Sequence, residues 1–269
     1  MGKPQGPAPI APCTLCLKTE PLTWSHIIPR WIYRRIIQTG GKGDPPVPVQ
    51  VRNGTLGFDA EQMATYLLCK QPSENACEDR LGVWEDYVSQ LAYKDGAFPA
   101  LATARANLIA GGTPGKEAGR LASLNVDFIA RFGASVLWRG SQFRKELPSL
   151  QLGPYADELR RYLRDEAPFP KNARMLLTLM DNDEVPQLSQ MLLLPGSWRH
   201  EGNHWHAFMC FGLHFDLIIG RCLSAFDNVC LVRSERCLIG DGHRQLPHLF
   251  KTAKSARPFG TFAKRMTLP

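Results

Sequence analysis

Cys13-Thr14-Leu15-Cys16, then Ser25-His26-Ile27-Ile28-Pro29, then Leu67-Leu68-Cys69 followed by Cys77-Glu78, are the stretches that decide how this chain is read. Two cysteines with two residues between them supply two thiolates from one tight turn, and Cys69 and Cys77 supply two more. Zinc favours four sulfur or nitrogen ligands in a tetrahedron, so Cys13, Cys16, Cys69 and Cys77 are expected to close one structural Zn2+ site. The second pair encloses the seven residues 70–76, wider than a usual knuckle, so that segment has to bulge outward. The competing account is chance spacing of unrelated cysteines. His26 and Glu78 are left over beside the staple, and polar groups held by such a staple are candidates for chemistry.

Outward from these stretches the local patterns are legible. Residues 24–28 read as a short strand ended by Pro29, and 31–37 as a short amphipathic helix with an arginine pair. Residues 49–51 and 57–58 suggest a hairpin around Asn53-Gly54, a strong turn dipeptide. From Cys77 a helix is expected, with Leu81, Trp84, Val88 and Leu91 at helical spacing and Glu78, Asp79 and Glu85 in its early turns. Residues 99–110 are helix-prone, and 111–115, Gly-Gly-Thr-Pro-Gly, break the chain. Residues 121–138 predict a long buried helix, and 154–165 a second one with Pro154 in its first turn. After Pro170 the texture changes to short apolar runs at 175–180, 190–194, 206–211, 215–219 and 228–232, separated by polar and glycine breaks. That pattern predicts an antiparallel sheet. The fold class is therefore α+β.

The chain has 269 residues, 44% of them hydrophobic, which excludes a mostly disordered protein. No apolar run reaches the roughly 20 residues of a membrane span, and the N-terminus lacks a signal-peptide core, so a cytoplasmic protein with reduced cysteines is expected. The net charge is +7, with the excess toward the ends: Arg30, Arg34, Arg35, Lys42 and Arg52 near the start, and Lys251, Lys254, Arg257, Lys264 and Arg265 in the tail. A basic surface suits a polyanion such as nucleic acid, although basic charge also serves solubility.

The order of C-x2-C, Ser-His-Ile-Ile-Pro, Leu-Leu-Cys and Cys-Glu resembles the HNH endonucleases, the ββα-metal superfamily. It is most similar to the bacterial branch that reads Ser-His-Ile-Ile-Pro where better-known members read Asp-His. The resemblance covers about residues 13–90. It implies that the cysteines are a structural staple and that His26 is the general base. It also implies that one catalytic Mg2+ or Mn2+ holds the scissile phosphate, and that the substrate is nucleic acid, DNA rather than RNA. Glu78 would supply oxygen ligands to that cation, Ser25 and Glu85 would assist, and Arg30, Arg34 and Arg35 would hold backbone phosphates. Residues 132–139, 152–155 and 159–160 also look like segments that follow the motif in uncharacterised relatives, from which no activity follows.

The chain departs from the family pattern at three positions: Ser25 stands for the usual acid before the base, Ala64 for an asparagine five residues before the third cysteine, and Glu78 for a helix histidine. Each catalytic candidate also has an ordinary reading. His26 can be a structural histidine beside the knuckle, Glu78 an acid favoured at a helix N-terminus, and Glu85 a solvated surface acid.

The expected organisation is a disordered stretch at 1–12, an HNH-like module at 13–95, a helical plus antiparallel β region at 96–250, and a basic tail at 251–269. The module could instead be a non-catalytic zinc-stapled platform for nucleic acid or a protein partner. The C-terminal region could also gate the nuclease through a ligand or a protein activator, as in anti-phage defence effectors. Two further clusters are weighed and set aside. His200, Asn203, His204 and His206 read as a turn and strand edge, with His204 and His206 on one side. Asp181-Asn182-Asp183-Glu184 reads as a polar turn. Cys210, Cys222, Cys230 and Cys237 are expected to be core thiols in strand-like segments.

Overall fold

Strand β1 (Ile10–Pro12) pairs antiparallel with β2 (Thr19–His26), and the turn between them is the Cys13–Cys16 knuckle. Residues 10–12 are therefore ordered by a ladder, not disordered as the Pro/Gly composition of 1–12 suggested. The computed structural model describes residues 6–38, 49–52, 55–58, 62–70, 76–91, 124–143, 147, 150–179, 191–210, 212–232, 240–241 and 257–259. The helix-prone 99–110, the Gly/Pro break at 111–115, the Asn53-Gly54 turn, the 181–184 turn and Cys237 lie outside them.

After Pro29, helix α1 (Arg30–Gln38) buries Ile32, Tyr33 and Ile36 and leaves Arg30 and Arg34 exposed, the one-faced burial its sequence pattern predicts. The hairpin β3 (Val49–Arg52) and β4 (Thr55–Phe58) forms as expected. Strand β5 (Ala64–Cys69) then pairs antiparallel with β2 and completes a three-stranded sheet in the order β1-β2-β5. Helix α2 (Cys77–Leu91) follows and buries Cys77, Leu81, Trp84 and Val88. A strand, an antiparallel partner and a helix thus succeed one another, with cysteines at the strand–helix junction.

Helix α3 (Val126–Gln142) starts later than the sequence suggested, because the Asn125 side chain caps it by accepting the Phe128 N–H at 3.1 Å. It is buried almost all round, as its apolar run predicts. Its buried hydroxyls are satisfied within the helix: Ser135 donates to the Phe132 carbonyl and Ser141 to that of Trp138. At Gly133 a Cβ would stand 2.6 Å from the Phe215 ring, so only glycine lets the helix lie this close to the sheet. Helix α4 (Tyr155–Leu163), preceded by Pro154, packs Leu159, Tyr162 and Leu163 inward.

The second sheet has eight strands in the order β10-β6-β9-β8-β7-β3-β4-β11. Its centre is antiparallel as expected: β6 (Ala173–Leu179), β9 (Leu213–Ile219), β8 (Asn203–Cys210) and β7 (Met191–His200). The β7–β8 turn is Glu201-Gly202, both at positive φ (48° and 76°), the geometry that suits a two-residue hairpin loop. Parallel pairings flank this centre. β3 joins β7, β10 (Gly240–Asp241) joins β6, and β11 (Arg257–Phe259) joins β4. The hairpin at 49–58 lies inside the 13–95 span yet pairs with this larger sheet, and the basic tail contributes an edge strand to it.

The expected strand at 228–232 is a correction. Residues Leu223–Val229 form a 3-10 helix, opened by Cys222 in the left-handed region (φ 57°). Arg174 on β6 pairs with Asp227 of this helix, and beyond it the Leu231 N–H donates to the Met175 carbonyl of β6 at 2.8 Å. Cys210 and Cys230 are buried as expected of core thiols, whereas Cys222 is exposed. No helix among the described residues is long and apolar enough to cross a membrane.

Candidate metal centre and the acid–base cluster beside it

The four cysteines converge. Their sulfurs all lie within 4.8 Å of one another, and Cys16 Sγ stands 3.8 Å from Cys69 Sγ. A tetrahedron with metal–sulfur bonds of about 2.3 Å has edges of about 3.8 Å, so these four thiols can hold a metal ion such as zinc. The local fold accounts for the geometry. The Leu17 N–H closes the knuckle on the Cys13 carbonyl at 2.8 Å, with Leu17 itself at a positive φ of 65°. Thr14 ties the turn to β5, its N–H and hydroxyl both donating to the Leu67 carbonyl, and the Cys69 N–H donates to Cys13 Sγ at 3.3 Å. From the far side Arg160 on α4 donates to the Leu15 carbonyl at 3.1 Å. Crowding four sulfurs makes them compete for protons. A hydrogen bond from Cys77 draws the Cys13 thiol down to about 4, while burial pushes Cys69 up to about 11 and the bond to Cys13 pushes Cys77 up. A bound divalent ion would take all four sulfurs as thiolates and displace their protons.

Beside the sulfurs, Ser25 is fully buried on β2, and its hydroxyl donates to Glu78 Oε2 at 2.7 Å. Glu78 follows Cys77 directly, so the staple fixes the start of α2 against β2. Burial raises the Glu78 carboxyl above its usual range, and Arg139 and the Ser25 hydroxyl pull it back down. His26 pairs with Ala64 in the β2–β5 ladder. An asparagine at 64 would therefore stand directly across from the imidazole, and an alanine offers it no hydrogen bond. His26 is half-buried. Burial holds its pKa below the usual 6.5, and the positive charges of Arg30 and Arg139 lower it further, so the ring is neutral at neutral pH.

Glu85 is not a solvated acid. Its Oε1 lies 2.6 Å from Nη2 of Arg139, which is only 2% exposed on α3. The contact is an ion pair without hydrogen-bond direction, since the same nitrogen has no hydrogen-bond partner. Arg139 is the functional candidate that sequence reading missed: one guanidinium from α3 acts on His26, Glu78 and Glu85 together. A signal was present, because a lone arginine inside an apolar helix run is costly unless an acid meets it.

The structure thus joins Ser25 to Glu78 and Glu85 to Arg139, and among the described residues His26 makes no hydrogen bond to either pair. Of the proposed phosphate-binding arginines, Arg30 and Arg34 are exposed on α1 and Arg35 is half-buried. His204 and His206 do share one side of β8, their rings 6.4 Å apart and within 9° of parallel. In comparisons with known proteins, no family model, no curated protein and no solved structure matches this chain.

Proposed function

We propose that this chain is a zinc-stapled nuclease of the HNH type, hydrolysing nucleic-acid phosphodiesters, DNA in preference to RNA, with a divalent cation. The observation that carries the reading is the 2.7 Å contact between Ser25 and Glu78. These two stand at positions where the resemblance puts ligands of the catalytic ion, one on the first strand and one at the head of the helix. A buried hydroxyl, the half-buried Glu78 carboxylate and a second acid, Glu85, are oxygen donors that fit Mg2+ or Mn2+. Such an ion, when bound, offsets phosphate charge and stabilises the leaving oxygen. His26, neutral at physiological pH, takes a proton from water as that water attacks phosphorus. Arg30 and Arg34, exposed on the helix that follows His26, engage flanking phosphates. The basic chain as a whole favours the polyanion.

A second reading draws on particular observations. Ala64 leaves His26 without an orienting partner, and Arg139 already occupies Glu85. These favour a non-catalytic zinc-stapled platform that binds nucleic acid or a protein. A plasmid-nicking assay separates the two. Wild type with Mg2+ or Mn2+ is expected to nick, and His26→Ala to lose about 10²–10⁴-fold of the rate while keeping its zinc. Equal nicking by both proteins assigns the cleavage to another source, and no cleavage of DNA or RNA with any divalent metal favours the platform.

A further inference from the structure

Away from the cysteines and His26, a cavity of about 360 Å³ opens between the β7–β8 hairpin and the segment leading into α4. Among the described residues no acid lines it, whereas Arg199, His204 and His206 do. Arg199 stands directly opposite His204 in the β7–β8 ladder, both are exposed, and neither has an acidic partner among the described residues. Side-by-side basic groups facing a cavity with no counter-charge make an anion the complementary occupant.

The third basic group is built in more firmly. His206 is 1% exposed, and its Nδ1 lies 2.6 Å from Ser197 Oγ. Ser197 also accepts the Gln151 N–H at 3.3 Å. In the tautomer in which the Ser197 hydroxyl donates to Nδ1, the His206 hydrogen stands on Nε2, which has no partner among the described residues and belongs to a residue of the cavity wall. Burial and the neighbouring His204 lower the His206 pKa to about 4, which keeps this tautomer neutral and a single-proton donor. Three donor groups around one cavity, an arginine fork and two imidazoles, suit the several oxygens of a phosphate. The volume exceeds a bare phosphate, and Tyr155 and Trp198 supply aromatic surface in the same lining.

We propose that this cavity binds a phosphorylated, ring-bearing small molecule, with its phosphate on Arg199, His204 and His206 Nε2–H and its ring against Tyr155 and Trp198. The site is independent of the nuclease reading, since it shares no residue with the His26 cluster.

Titration calorimetry of the full chain with ribose 5-phosphate, AMP, inorganic phosphate and ribose tests it. The phosphomonoesters are expected to bind more tightly than inorganic phosphate, and ribose not to bind. Loss of a charge-assisted hydrogen bond costs about ten- to a hundredfold, so Arg199→Gln should weaken both phosphomonoesters by that factor. Arg199 is exposed, so the melting temperature should stay unchanged. Ser197→Ala, which releases the His206 tautomer, should weaken them by a smaller factor. Absence of binding by every phosphorylated probe, equal binding of ribose and ribose 5-phosphate, or an unchanged affinity in Arg199→Gln would each overturn the proposal.

Discussion

In the three-stranded sheet, Leu15, Leu22 and Leu68 pack around four sulfurs; in the eight-stranded sheet, Phe208 and Phe215 stack at 4.9 Å with Phe132 from α3 beside them. One region closes on a ligand set and the other on apolar surface. The three short strands share a buried core with α1 and α2, and an ion bound at the four sulfurs would add folding free energy there. The larger sheet needs no such help, because its central strand β9 is buried along its whole length. The difference also separates the two histidines. His26 sits half-buried at the end of β2, within reach of water, whereas His206 is almost fully buried against Ser197 at the cavity wall.

The largest effect expected from this contrast is on folding of the small sheet. Cys69→Ser, or strong chelation, should abolish binding of one zinc per chain and expose β1, β2, β5 and α2 to protease and hydrogen exchange, while β6 to β9 keep their protection. Loss of protection in both sheets together would show that they fold as one unit and erase the distinction. A smaller effect is expected at their junction, where α3 sends Arg139 to α2. Arg139→Met leaves Glu85 and Glu78 without that charge, and removing one partner of a largely buried pair should cost about 2–4 kcal/mol. Urea denaturation measures this, and Arg139→Met combined with Glu85→Gln should recover part of the loss. The same substitution removes a charge that lowers the His26 pKa, so the acid limb of any cleavage–pH profile should move to higher pH.

The smallest effect is the acid sensitivity of the larger sheet. His206 is depressed from 6.5 to about 4 in the folded chain, so between those values the unfolded chain binds the extra proton. Its stability contribution is present above about pH 6.5 and is lost as pH falls toward about 4, amounting to about 3 kcal/mol at most. Denaturation curves of wild type and His206→Gln across that window should converge as pH falls. A constant difference would mean that His206 is not the titrating group.

Much of the site was legible because its signals are local. A C-x2-C turn, the cysteine that opens α2, and Leu81, Trp84 and Val88 at helical spacing all act within a few residues of themselves. The strand at 24–28 and the helix from Cys77 followed from such signals, whereas strand β5 (Ala64–Cys69) did not. What was not legible depends on distant pairings. Nothing near Val49 states that β3 will lie parallel to β7, and nothing near Thr19 states that Ile10–Pro12 will find a partner. The strand-like run at 228–232 begins inside the 3-10 helix Leu223–Val229, whose Asp227 meets Arg174, a partner far away in sequence. Glu85 looked solvated because its partner arrives from another helix. Arg139 was hidden for the converse reason: the apolar pattern of α3 predicts burial correctly and says nothing of what its one charge meets.

The central claim is that Ser25 and Glu78 form an oxygen-donor site next to a cysteine-bound zinc, with His26 beside it as base. A crystal structure of the zinc-loaded chain soaked in Mn2+, with anomalous scattering recorded at both metal edges, tests this most directly. The account predicts one zinc within about 2.3 Å of Cys13, Cys16, Cys69 and Cys77, and a separate manganese on the Glu78 carboxylate on the side facing His26. Zinc among the cysteines with no manganese at Glu78, and Arg139 still resting on Glu85, would contradict it.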